Sequence, residues 1–101
     1  MPLNESGRKA LTHLDAALAK QPEKDGHLLS ATLTGLGVFR DGIIASHRET
    51  PTDLSRLVLD RVNGVISATM AVQYPLGEVP WASLAQARGT LVGLLDSDIW
   101  A

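Results

Sequence analysis

The sequence predicts an all-α fold, a single-domain antiparallel bundle of about four helices that covers residues 1–101. Apolar residues recur every three or four positions along four stretches of the chain, and this spacing places them on one face of a helix. The connections between these stretches are short, which suits antiparallel neighbours in a bundle. A chain of 101 residues has the size of one domain and can bury a core without metal or disulfide.

The first helix is predicted at about 4–20. Asn4 is placed to cap its start, and Gln21-Pro22 is placed to stop it. The polar and charged residues of this segment fall outside the apolar stripe, so we expect an outer helix whose apolar side alone is covered by the rest of the bundle. The stripe consists of Leu3, Ala10, Leu11, Leu14, Ala17 and Leu18.

The second helix is predicted at about 23–47, although three glycines interrupt it. Gly35, Gly37 and Gly42 each cost about 1 kcal/mol relative to alanine inside a helix, and close packing of two helices is one reason to tolerate them. Asp41-Gly42 between apolar runs is also a hairpin signal. Because the helical spacing continues through this dipeptide, we favour the helix, but the sequence leaves a hairpin over 28–48 open. The apolar arc holds Leu28, Leu29, Leu33, Leu36, Phe39, Ile43 and Ile44.

The third helix, at about 51–73, is the clearest. Thr50 is the expected cap, with Pro51 at the first helical position and Asp53 at the third. The apolar spacing also continues through Asn63-Gly64, a second possible hairpin turn. Apolar residues cover roughly 220° of the helical projection, so the helix must be covered on most sides. They are Leu54, Leu57, Val58, Leu59, Val62, Val65, Ile66, Thr69, Met70 and Val72.

Pro80 opens the fourth predicted helix, which ends at about Leu95. The tail that follows, 96–101, is short and acidic and ends with the apolar pair Ile99-Trp100 before Ala101. The apolar arc of this helix contains Trp81, Leu84, Ala85, Ala87, Leu91, Val92, Leu94 and Leu95.

The composition narrows the possible partners and locations. The net charge is −2 and no basic stripe is visible, so we expect no nucleic-acid partner. Cysteine is absent, which excludes thiolate catalysis and a disulfide scaffold. The N-terminus lacks an apolar signal segment, and the longest uncharged stretch, Val62 to Gly77, is shorter than the ~20 residues of a spanning helix. We therefore expect a cytoplasmic protein without a membrane partner.

The motifs that carry chemistry are incomplete. Gly35-Leu36-Gly37 starts a dinucleotide-binding pattern, but Arg40 stands where the third glycine should be. No metalloprotease motif is present, and the spacing of His47 and Glu49 does not make a ligand pair on a helix. Serines and threonines have no base at a recognisable spacing. We predict that the protein is not an enzyme and has no cofactor or metal site. The three histidines are His13, His27 and His47.

Three arginines fall inside or beside apolar arcs. Arg40 lies in the arc of the second helix, Arg88 in that of the fourth beside Trp81, and Arg61 at the rim of the third. A bare guanidinium in a core is too costly, so each must reach solvent, pair with an acid or face a partner. The candidate acids inside the chain are Asp15, Asp60 and Asp96. Arginine and aromatic residues are also common in interfaces. The sequence therefore leaves two interpretations open: these arginines reach solvent or pair with acids of the same chain, or they face a partner protein.

A polar strip on the third helix is the other candidate surface. Arg56 and Asp60 are four residues apart and can pair along the helix, with Asn63 and Ser67 beyond them. A solvent-exposed outer face explains this strip as well as a surface that a partner protein recognises. The predicted partner-binding residues are Arg40, Asp41, Arg56, Asp60, Asn63, Trp81 and Arg88.

The order of features over about 28–95 resembles one small family. Leu28-Leu29-Ser30-Ala31 precedes Phe39-Arg40-Asp41, then 52–57 (TDLSRL) opens an apolar helix before a Pro/Gly/Glu loop and a last helix. This order is similar to the all-helical immunity proteins of type VI secretion systems that neutralise NAD(P)+-degrading effector toxins. The resemblance implies a cytoplasmic protein that binds its toxin and obstructs the toxin's active site.

The alternative hypothesis is a self-associating helical adaptor or secretion chaperone. In that case the wide apolar arc of the third helix would be used between subunits, as in a homodimer.

Overall fold

The computed structural model describes residues 5–96, which form four helices. They are α1 (Glu5–Ala19), α2 (Gly26–Glu49), α3 (Asp53–Gln73) and α4 (Trp81–Leu95). Each helix packs on the next, and α4 returns to pack on α1. The predicted all-α bundle is confirmed. Asp41-Gly42 and Asn63-Gly64 both lie inside helices, so neither forms the hairpin turn that the dipeptides allowed.

The start of α3 differs from the prediction. Its cap is Thr52, whose hydroxyl accepts a hydrogen bond from the Ser55 N–H, while the Ser55 hydroxyl accepts one from the Thr52 N–H. Thr50 is instead the C-cap of α2, because its N–H donates to the carbonyl of Ser46. Pro51 therefore precedes the helix, which begins at Asp53. The predicted cap Asn4 and the pair Ile99-Trp100 lie outside the described residues.

The core lies between all four helices, and within residues 5–96 its buried hydrophobic side chains are aliphatic apart from one phenylalanine. Buried threonines in α2 and α3 are satisfied locally, because Thr32 and Thr69 each donate to the carbonyl four residues earlier at 2.8 Å. The core residues are Ala10, Leu14, Ala17, Leu29, Leu36, Phe39, Ile43, Val58, Val62, Val65, Val72, Leu84, Ala87, Leu91, Leu94 and Leu95.

Helices α1 and α2 approach closely at Gly35. A Cβ there would lie 3.0 Å from the Ala10 Cβ and 3.1 Å from the Ser6 carbonyl oxygen. The expected role of close packing is therefore confirmed at this glycine. At Gly37 a Cβ would meet nothing within 4 Å, so contact with α1 does not explain that residue.

The connection between α1 and α2 is held by Asp25. Its carboxylate caps α2 by accepting the Leu28 N–H at 3.0 Å, and it accepts a hydrogen bond from Lys20 Nζ at 2.7 Å. These two contacts, with the Lys20 bond the larger cause, lower the pKa of Asp25, and the same bond to Asp25 raises the pKa of Lys20. The Gln21–Pro22 peptide bond in this connection is cis.

Helix α2 is the longest of the described helices. By length and composition alone it meets the usual test for a membrane-spanning helix, a test that the core helix of a soluble protein also meets. In the bundle, Leu29, Leu36, Phe39 and Ile43 are fully buried, and their spacing is that of one helical face. This packing accounts for part of the apolar composition of α2, since 28% of its most apolar window is buried in the bundle.

Candidate functional site

The predicted partner-binding residues lie on three helices. Arg40 and Asp41 lie in the second half of α2, the strip residues lie on the exposed side of α3, and Trp81 and Arg88 belong to α4. The strip residues Arg56, Asp60 and Asn63 are all exposed. The seven residues are therefore distributed over three of the four helices.

Arg88 has a partner inside the chain. Its Nε donates to the carboxylate of Asp15, which joins α4 to α1. This hydrogen bond raises the pKa of Arg88 above its ordinary value. The structure therefore favours pairing of Arg88 with an acid of the same chain over an unpaired guanidinium that faces a partner. Trp81, near the start of the same helix, is partly buried against the core.

Arg40 reaches solvent along the side of α2. Its Nε is buried, has no hydrogen-bond partner among residues 5–96 and lies 3.8 Å from Oδ1 of Asp41, while the side chain as a whole is 38% exposed. The side chain is thus partly covered and still reaches solvent, which is one of the possibilities that its place in the apolar arc left open. Arg40 and Asp41 form a loose surface pair.

Arg56 and Asp60 do not form the predicted pair. Within residues 5–96, the ion pairs join Lys20 to Asp25, Arg40 to Asp41 and Arg88 to Asp15. Both strip side chains are exposed, and in water such a pair gains too little to hold two long side chains in place.

A groove lies between α3 and α4 and is lined largely by apolar residues. It consists of two adjoining depressions of about 360 and 320 Å³ that share Arg61 and Thr90, and we call it the α3–α4 groove. On α3 it is lined by Leu54, Leu57, Val58, Arg61, Gly64, Val65 and Ala68. On α4 it is lined by Ser83, Gln86, Ala87, Gly89, Thr90, Gly93 and Leu94.

Two leucines of the groove are only half covered. Leu54 is 50% exposed and Leu57 is 47% exposed, although both belong to the apolar arc of α3. The arc is wider than the surface that α2 and α4 cover, so one flank of α3 stays open beside α4. Contiguous exposed apolar surface of this kind is typical of interaction sites.

Three helical glycines border the same groove without a packing reason. At Gly64, Gly89 and Gly93, an added Cβ would meet nothing within 4 Å in the part of the chain that the structure describes. Each glycine costs about 1 kcal/mol relative to alanine in a helix. These three glycines therefore lower the stability of the bundle without allowing a close contact inside it. Gly35 differs, because the approach of α1 requires a glycine there.

A polar depression of about 480 Å³ lies at the turn between α2 and α3 and is lined by His47, Pro51, Thr52, Asp53 and Arg56. His47 Nδ1 is hydrogen-bonded to the Ser55 hydroxyl, the contact that a serine nucleophile requires. The same hydroxyl, however, lies 3.0 Å from the Thr52 carbonyl oxygen and takes part in the capping box. We therefore interpret the hydrogen bond between His47 and Ser55 as a structural link between the end of α2 and the start of α3.

The groove was only partly visible in the sequence. The wide arc of α3 indicated apolar surface that needs covering, and the sequence placed Arg61 at the rim of that arc, where it lines the groove. Gly89 and Gly93 were missed. Their four-residue spacing on one helix was the available signal, but it does not by itself show whether the two glycines pack inside the bundle or face outward.

In the part of the chain that the structure describes, no group of three or more histidine, aspartate or glutamate side chains is arranged to hold a metal ion. Neither a protein family model, nor a curated protein, nor a solved structure matches this chain.

Proposed function

We propose that this protein is a non-catalytic binding protein of the immunity kind, which binds a toxin domain and covers the toxin's active site. The α3–α4 groove is the binding surface. The observation that carries the proposal is the half-exposed pair Leu54 and Leu57 beside helical glycines that the bundle does not need.

The energetics of the groove favour a protein partner. Covering the exposed halves of Leu54 and Leu57 gains about 1 kcal/mol for each leucine. The open glycines Gly89 and Gly93 allow another backbone to approach α4 closely, which adds van der Waals contact along the groove. A partner that fills the groove therefore gains both the burial of the two leucines and the van der Waals contacts at the two glycines, neither of which the isolated bundle makes.

The toxin as partner rests on the resemblance to immunity proteins over about 28–95 and on the chemistry of inhibition. Obstructing an active site needs a stable, well-shaped surface and no catalytic group. Acidic side chains such as Asp53 and Asp60 are exposed on the same helix as the groove leucines. Acids placed at the rim of an interface guide association with a basic substrate-binding site.

The test is co-purification with the product of the neighbouring gene, followed by rescue of cells that express that product. Leu57→Asp places a charge in the groove, and we expect loss of both co-purification and rescue. The matched control is Val38→Asp, because Val38 is 55% exposed on α2 and does not line the groove. Equal rescue by both variants, or no binding by the wild-type protein, would contradict the proposal.

The half-exposed leucines also favour a second candidate, a self-associating adaptor or secretion chaperone. Light scattering separates the two proposals. A stable dimer that Leu57→Asp dissociates, together with no binding to the neighbouring gene product, would favour self-association.

A further inference from the structure

We propose that the α3–α4 groove accepts one amphipathic helix of the partner protein, and that this helix presents a carboxylate to Arg61 from within its apolar face. The inference rests on the proposed function and specifies the partner element that the same surface binds.

The dimensions of the groove suit a helix. Its lining on α3 runs from Leu54 to Ala68, and the fourteen helical steps between these two residues correspond to about 21 Å. The lining residues recur every three or four positions on both helices, so the groove is parallel to two helical ridges. A helix of about 14 residues laid along it would pack by the ridges-into-grooves geometry of the bundle itself.

The chemistry of the walls disfavours an extended segment. Both walls are α-helices, whose interior N–H and C=O groups are bonded within each helix. A strand placed between them would find no backbone partner and would leave its own polar groups unpaired. A helix satisfies its backbone internally and brings only side chains to the groove.

The charge of the groove specifies the partner further. Arg61 is the one charged residue in the lining, and it belongs to none of the ion pairs formed within residues 5–96. An apolar helix laid over Arg61 would remove water from an unpaired guanidinium, which is costly. A carboxylate at the matching position compensates for this through charge-assisted hydrogen bonds.

The same charge argues against a second copy of this chain. A two-fold interface centred on the groove would place the two Arg61 side chains close together. Their repulsion adds to the desolvation cost, so the geometry points to a different chain that carries the acid.

The test uses two stapled helical peptides of about 14 residues, each with an apolar face of leucine and alanine and a polar opposite face. They differ at one central position of the apolar face, which is glutamate in one probe and lysine in the other. Binding to the wild-type protein and to Arg61→Glu is measured by fluorescence anisotropy. The control is Arg48→Glu, which makes the same change of charge at an exposed position of α2 outside the groove.

We expect the wild-type protein and the Arg48→Glu variant to bind the glutamate probe about tenfold more tightly than the lysine probe. Arg61→Glu should reverse this preference, and Arg61→Gln should abolish it. Circular dichroism establishes that each variant is folded. Equal binding of both probes to the wild-type protein, or an unchanged preference in Arg61→Glu, would overturn the inference.

The outcomes separate this inference from the proposed function. If the probes fail but Leu57→Asp still abolishes co-purification with the toxin, the helix and its acid are wrong and the binding protein stands. If the charge swap succeeds but the neighbouring gene product does not bind, the groove accepts a helix and the toxin is the wrong partner.

Discussion

The contact between α1 and α2 can be tested by a matched pair of substitutions, Gly35→Ala and Gly37→Ala. Both add one methyl group to the same helix, two positions apart. At Gly35 the new Cβ would lie 3.0 Å from the Ala10 Cβ, 3.1 Å from the Ser6 carbonyl oxygen and 3.3 Å from the Ala10 Cα. These atoms belong to the backbone or are fixed directly to it, so α1 must move away.

The magnitudes follow from two opposing effects. Alanine gains about 1 kcal/mol over glycine in a helix, and overpacking costs about 1–3 kcal/mol. We therefore expect Gly35→Ala to destabilise the fold by about 1 kcal/mol. Gly37→Ala meets nothing within 4 Å and should stabilise it by about 1 kcal/mol.

The assay is thermal and urea unfolding followed by circular dichroism. A change of 1 kcal/mol moves the Tm of a domain this size by about 4–8 °C. The Tm of Gly35→Ala should therefore lie below that of the wild type and the Tm of Gly37→Ala above it, with about 10 °C between the two variants. If Gly35→Ala stabilises the protein as much as Gly37→Ala does, then α1 and α2 are not in contact at this point and the bundle geometry is wrong.

Three further predictions concern the groove, a helix cap and acid stability. The double substitution Gly89→Ala and Gly93→Ala should raise the Tm, because both Cβ positions are open, and yet weaken partner binding; binding that improves along with stability would show that the glycines have no role in the groove. Thr52→Ala should lose about 1 kcal/mol of unfolding free energy, whereas Thr50→Ala, which keeps the N–H that caps α2, should lose little; the reverse order in urea titrations would restore Thr50 as the cap. The pKa of Asp25 is lowered by Lys20 and by the Leu28 N–H, so the stability from this group is present above its unfolded pKa near 3.8 and is lost as pH falls through the folded value. Asp25→Asn keeps a capping side chain, so its Tm should be lower than that of the wild type at neutral pH and the difference should shrink towards pH ~2; a constant difference would mean that Asp25 does not titrate as described.

The sequence was sufficient to predict four helices and most of their inward faces, because apolar spacing reports a helix regardless of what covers it. It also favoured a helix through Asp41-Gly42 and Asn63-Gly64, where local turn preference pointed the other way. Tertiary packing outweighs such local preferences, since an apolar face gains more by burial than two residues lose.

Only the tertiary structure decided which neighbour each side chain meets. Helical spacing placed Arg88 and Arg61 alike beside apolar arcs, but the return of α4 onto α1 brings Asp15 to Arg88, whereas Arg61 belongs to none of the ion pairs within residues 5–96. Gly35 and Gly37 look equivalent in the sequence, and the distance to α1 alone separates a required glycine from an open one. The physical reason is that periodicity reports the direction of a side chain from its own helix axis, whereas contact depends on how closely the next helix approaches.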